Sequence, residues 1–242
     1  MEWFESWFDT PYYHLLYNNR DYTEAESFIT KLTEDLQLAP SSKIIDLACG
    51  KGRHSVFLNK LGYDVLGLDL SRQSIEFDKQ FENETLLFEV HDMRNPIDAD
   101  PVDAVFNLFT SFGYFDNDKD DKNVFQSVYN ILKPEGYFVL DYLNEEYVRN
   151  TLVPEETAER ENLIFHISRR IEGRHIIKDI KFEENGNLYN FFEKVKLHTL
   201  EAINSYATEC GFERIKIWGN YQLDQFNRET SPRCINLFKK KA

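Results

Sequence analysis

Long apolar runs are missing from this 242-residue chain, so no stretch has the length of a membrane span. Cysteine is scarce. Cys49, Cys210 and Cys234 are odd in number and have no metal-like spacing, which excludes a disulfide scaffold and a zinc module and suits a reducing, cytoplasmic setting. Positive charge is also in short supply: 28 Lys and Arg stand against 42 Asp and Glu, a formal net charge of −14. A phosphate backbone would be repelled, so nucleic acid is not an expected partner. Only Lys239-Lys240-Lys241 is strongly basic. Met1-Glu2-Trp3 is acidic and aromatic, unlike the basic and apolar start of a signal peptide. There is no internal repeat, no low-complexity tract and no visible catalytic triad or metal site. The acidic stretch from Asp116 to Asp121 lacks the spacing of an EF-hand loop and reads as a solvated loop and helix N-terminus.

What the chain does have is aromatic residues, 15% of the total, and a regular alternation of patterns. Trp3, Phe4, Trp7 and Phe8 share a helical face, Thr10-Pro11 breaks that helix, and a longer helix carries Ala25, Phe28, Ile29, Leu32 and Leu36. These aromatics either pack the first helices onto the rest of the chain or form a lid. From residue 43, strands at 43–48, 64–69, 86–90, 102–108 and 137–141 alternate with helices at 53–61, 72–81 and 120–132. Ser71 is the N-cap of the second helix, and 133–136 forms a turn. This predicts an α/β fold with a mostly parallel sheet and helices on both faces. The pattern then changes to an antiparallel set at 163–171, 175–183 and 188–198 with a hairpin at Asn185-Gly186. A helix closed by Gly211 and two last strands, 213–219 and 233–239, follow. The expected division is a helical cap (1–40), a core (41–143 and 200–242) and an inserted small antiparallel sheet (144–199).

In such sheets ligands bind at the carboxyl ends of the strands. Those ends carry Asp46, Ala48, Gly50 and Gly52, then Asp69, then His91-Asp92-Met93, then Asn107, Leu108 and Phe109. Each has a bland reading as turn or cap geometry, but the joint occurrence in order favours a nucleoside site. Ser55 stands where a dinucleotide fingerprint needs its third glycine, which argues against an NAD(P)-dependent oxidoreductase, and there is no P-loop. A cofactor without phosphates fits better, with its ribose diol against Asp69.

Asp46-Leu-Ala-Cys-Gly-Lys-Gly52 resembles the first motif of class I S-adenosylmethionine-dependent methyltransferases, and Gly67-Leu-Asp-Leu-Ser71 their second. His91-Asp-Met-Arg94 resembles the adenine segment, and Leu132 to Phe138 the junction before the fifth strand. The chain is similar in particular to small-molecule, amino-sugar-type N-methyltransferases with an extra sheet after strand 5, through Tyr13, Arg20-Asp21-Tyr22, Asn107 to Tyr114 and Ser231-Pro-Arg233. The resemblance implies a Rossmann-like seven-stranded sheet and S-adenosyl-L-methionine as cofactor. It also implies in-line methyl transfer to a small-molecule acceptor, and a homodimer is compatible with it; no membrane partner is expected, since no apolar run is long enough to span a bilayer. It implies that Arg20 pairs with the cofactor carboxylate and that the backbone at Ala48 and Gly50 approaches its methionine part. Asp69 takes the ribose, Asp92 and Met93 hold adenine, and Asn107 and Leu108 line the reacting side. Asp46, Gly52 and Leu70 complete the cofactor set. Tyr13, His198 and Arg233 are acceptor-side candidates, and no metal is implied. Ala48 departs from the usual glycine. A non-catalytic binding module is the remaining alternative.

Overall fold

A computed structural model describes residues 2–17 and 22–241. Three helices open the chain: α1 Trp3–Phe8, α2 Pro11–Leu16 and α3 Tyr22–Leu36. Thr10-Pro11 ends the first and also starts the second. The Thr10 hydroxyl accepts from the Tyr13 N–H, and Pro11 sits in the first turn, where its missing N–H costs nothing.

The predicted alternation follows as β1 Lys43–Leu47, α4 Arg53–Lys60, β2 Asp64–Asp69, α5 Arg72–Asp78, β3 Leu86–Val90, β4 Val102–Asn107 and α6 Asp118–Ile131. Ser71 caps α5 as expected, accepting from the Ser74 N–H. The turn expected at 133–136 lies inside a longer strand, β5 Leu132–Leu143. Leu132 pairs with Val102 and Tyr137 with Ala104, so the intervening residues bulge out of the ladder.

A helix, α7 Glu145–Thr151, leads into β6 Glu155–Arg160, β7 Leu163–Glu172, β8 His175–Glu184 and β9 Asn187–Lys196, a four-stranded antiparallel sheet. The β8–β9 hairpin turns at Asn185 and Gly186, both with positive φ. Strand β6 escapes sequence reading because it is a charged edge strand in which only Ala158 is buried. The chain ends in α8 Leu200–Cys210, closed by left-handed Gly211, then β10 Phe212–Trp218 and β11 Arg233–Lys240.

The main sheet has the order β3-β2-β1-β4-β5-β11-β10. Strands β1 to β5 are parallel, and β11 is antiparallel to both its neighbours. The chain winds outward from β1 to β3, then returns to place β4 on the other side of β1. That reversal is the topological switch point, where a crevice opens above the strand ends.

Phe125, Val128, Ile203 and Phe212 fill one face of the sheet, and Phe28, Leu32, Leu58 and Ile75 fill the other. The three opening helices divide between two bodies. Helix α3 packs on the sheet, whereas Trp7 and Leu16 of α1 and α2 pack with Phe165, Ile167, Ile180 and Phe182 of the inserted sheet. The acidic stretch at 116–121 does start a helix, with Asn117 as its cap. It is not fully solvated, however: Asp121 is buried against the Lys196 ammonium at 2.5 Å. No helix among the described residues is long and apolar enough to cross a membrane.

Candidate functional site

The ends of β1, β2, β3 and β4 open onto one cavity of about 610 Å³ at the switch point. The chain leaves β1 through Ala48, Gly50 and Gly52, all with φ near +60°, a sequence of left-handed residues that folds the backbone back under the cavity. At Gly52 there is also no room for a side chain, because a Cβ would come 2.8 Å from the Phe88 ring. Gly52 therefore shapes the turn from behind and does not border the cavity, whereas Ala48 and Gly50 do.

Backbone donors aim the acid at the tip of β2. The N–H groups of Gly50 and Ser71 each donate to the Asp69 carboxylate at 2.8 Å. Burial pushes this carboxyl above the usual range, and the two N–H groups oppose that shift. Asp46 is buried beneath the same turn and accepts from the Ser55 hydroxyl at 2.6 Å. Its carboxyl is pushed up to about 6 by burial, against the pull of Ser55. Ser55 is thus the anchor of a buried acid where a dinucleotide site would have a glycine. A third carboxyl, Asp78, is fully buried with no hydrogen-bond partner on either oxygen. Burial, then the charges of Asp69 and Asp46, push it up to about 8.

Leu70, Asp92, Met93 and Leu108 border the same cavity. At Asp92 burial works to raise the carboxyl, but hydrogen bonds from the Arg94 side chain and N–H outweigh it and hold it below the ordinary range. Asn107 is a correction. It is buried behind the wall, donating to the Leu47 carbonyl at 2.9 Å, so it ties β4 to the end of β1 and does not line the site. Arg20 lies outside the described residues.

The first two helices cover the cavity from above, and the aromatic segment both packs and lines. Trp7 is core, whereas Phe8, Tyr13 and Tyr17 face the cavity. Two bordering residues here have no local sequence signal. Asp9 accepts from the Ser71 hydroxyl, a contact made only by folding. His14 is held down to about 4 by burial and by the nearby Lys51 charge.

A second cavity of about 450 Å³ adjoins the first, between the sheet end, α1–α2 and the inserted sheet. Phe8, Tyr13, Tyr17, Phe109, Ser111 and Tyr114 border both. Tyr13 thus stands at the junction and Arg233 borders the second cavity, but His198 borders neither. It is buried, with its Nε2 3.3 Å from Asp121 and its ring against Phe112. The inserted sheet adds Lys178 and Glu193, which the strand pattern alone does not single out. Glu193 accepts from Trp7 at 2.9 Å and from the Tyr17 hydroxyl at 2.6 Å, and Lys178 donates to that same hydroxyl. Among the described residues no group of three or more His, Cys, Asp or Glu could hold a metal ion.

A family model described as "Methyltransferase domain" matches residues 38–196. The putative methyltransferase YqeM of Bacillus subtilis (strain 168) is 27% identical over 216 residues, covering 85% of this chain and 86% of that protein. Among solved structures, an S-adenosylmethionine-dependent methyltransferase from Clostridium acetobutylicum ATCC 824 superposes with a TM-score of 0.80, at 18% identity and 96% coverage of both chains. CalS10, an amino pentose methyltransferase from Micromonospora echinaspora, superposes with a TM-score of 0.69, at 16% identity and 93% coverage of both.

Proposed function

We propose, from the premise that this chain belongs to the methyltransferase-domain family, that it methylates an amine nitrogen of a small polar molecule held in the second cavity. The chain is an S-adenosylmethionine-dependent methyltransferase; the acceptor class and the residue roles are our reading. The observation that carries it is the second cavity itself, which shares an aromatic wall with the first and is closed by α1–α2 and the inserted sheet. Its size suits a sugar-sized molecule. Its wall of Tyr13, Tyr17, Tyr114 and Tyr221 offers ring faces with hydroxyl tips, a surface suited to a polar ring. The amino pentose substrate named for CalS10 is consistent with this.

In this reading Asp69 accepts from the ribose diol, Asp92 and Met93 hold the base, and Ala48, Gly50, Leu70 and Leu108 form the wall around the rest. Asp46, Gly52 and Asn107 act from behind by fixing the turn, and Arg20 is the partner for the cofactor carboxylate. When bound, S-adenosylmethionine supplies a methyl group already activated by the sulfonium charge. The protein's own work is then to align the acceptor lone pair and exclude water. The cap (1–40) and the insertion (144–199) select the acceptor, and the core, together with Arg20 of the cap, holds the cofactor.

The test combines two measurements. Wild-type protein with methyl-labelled S-adenosylmethionine should transfer label to at least one of a methyl aminopentoside, a methyl aminohexoside and sarcosine. Asp69→Ala should weaken S-adenosylhomocysteine binding by at least about tenfold in calorimetry, through loss of charge-assisted hydrogen bonds. Label transfer to none of the three would sink the acceptor reading, and unchanged affinity in the variant would sink the role of Asp69.

A further inference from the structure

We infer that Asp141 and Arg233 are positioning residues for methyl transfer: they hold Phe109 and Thr110 in a left-handed turn that partitions the cofactor cavity from the acceptor cavity. This rests on the reading of the second cavity as the acceptor site.

The chain leaves β4 through two consecutive non-glycine residues with positive φ, Phe109 at 59° and Thr110 at 64°. Such a conformation is unfavourable, more so for a β-branched residue, and persists only where surrounding contacts over-determine it. Those contacts converge on Asp141, which is fully buried near the end of β5. Its Oδ2 accepts from the Phe109 N–H at 2.7 Å, and its backbone carbonyl accepts from the Thr110 N–H at 3.1 Å. Arg233, at the start of β11, donates from Nε to Asp141 Oδ1 at 2.8 Å and from Nη2 to the Thr110 hydroxyl at 2.7 Å. The Tyr221 hydroxyl donates to Asp141 Oδ2 at 3.2 Å. Both N–H groups of the turn, the threonine hydroxyl and the acid are thereby locked into one network.

The network determines where the Phe109 ring lies. The ring stacks flat on His54, 4.8 Å between centroids at 7°, leans on Tyr221 at 4.8 Å, and borders both cavities. If Phe109 relaxed to negative φ, the ring would leave that boundary, and the separation between the two cavities would no longer be set. Methyl transfer depends on that separation, because reacting atoms must be held about 3–3.5 Å apart in line. Arg233, with Nε and Nη2 both engaged, acts here as a brace and not as an acceptor ligand.

Glycine at 110 should relieve the need for the brace, because glycine takes positive φ without penalty. The test measures Arg233→Gln, Thr110→Gly and the double variant. Label transfer uses the same three amines, S-adenosylhomocysteine affinity is read by calorimetry, and stability by urea unfolding. Arg233→Gln should lower kcat about 100-fold, with KM and S-adenosylhomocysteine affinity within about threefold of wild type. Adding Thr110→Gly should restore kcat at least about tenfold and raise the urea midpoint above that of Arg233→Gln alone. A double variant no faster and no more stable than Arg233→Gln overturns the inference. So does a raised KM at unchanged kcat, which would make Arg233 an acceptor ligand. If Arg233→Gln does not fold, Tyr221→Phe removes one donor to Asp141 and should lower kcat about threefold to tenfold at constant KM; an unchanged kcat overturns the inference. Variants as fast as an active wild type overturn the partition alone. A wild type that binds S-adenosylhomocysteine but labels none of the amines overturns the acceptor reading and the partition with it.

Discussion

Ala48 holds a φ of 62°, a conformation that glycine adopts at no cost and an L-residue with a Cβ at a cost of about 1 kcal/mol or more. The resemblance marks this position as an unusual departure from glycine, and the backbone shows what the departure costs. Ala48→Gly should raise stability by up to about 1 kcal/mol, partly offset by the greater entropy of unfolded glycine; a lower urea midpoint would count against strain at this residue. Asp78 offers a second test at this scale. Its carboxyl is pushed up to about 8 in the folded protein from an ordinary 3.8, so the native state binds the proton more tightly than the unfolded chain does. The associated stability is fully present below the ordinary carboxylate range and is lost as pH rises toward 8. Asp78→Asn, which cannot ionise, should reduce the fall in melting temperature between pH 5 and pH 8.5. A fall as steep as in the wild type would show that Asp78 is not the group responsible. The residue scale is also where sequence reading was uneven. Asp69 and Asp141 carry the same signal, an acid after an apolar run, but the role of Asp141 is not legible in it, because its partners lie 32 and 92 positions away.

The N-terminal pair of short helices was only partly legible. Their aromatic face is plain in sequence, but the surface it meets is not. Trp7 packs 4.6 Å from Phe191 and donates to Glu193, both on β9, so the pair belongs to the inserted sheet as much as to the core. Trp7→Ala should cost about 3–5 kcal/mol in urea unfolding, as expected for a buried tryptophan; a loss below about 1 kcal/mol would show that the cap is not docked as described. Strand β6 and helix α7 were missed for a different reason. Each buries too little apolar surface to leave a periodic pattern, and β6 forms because β7 offers it an edge. By contrast β1 to β4 and the Asn185-Gly186 hairpin were legible, since apolar runs and turn chemistry act over a few neighbouring residues.

For the molecule as a whole, the sequence by itself determined the alternation of strands and helices, the glycine turn, the acid at the second strand's tip and the exclusion of a dinucleotide by Ser55. These are local properties, decided by periodicity, backbone freedom and the chemistry of single side chains. Only the tertiary structure decided the rest. The sheet order places β4 beside β1, so that the strand ends surround one cavity. It buries Asn107 and Gly52 behind the wall and carries His198 to Asp121, away from both cavities. It also brings Arg233 across from β11 to brace the turn after β4. No pattern within a segment encodes these contacts. They arise from burying both faces of one sheet and one face of another at once, which brings together residues that the chain keeps far apart.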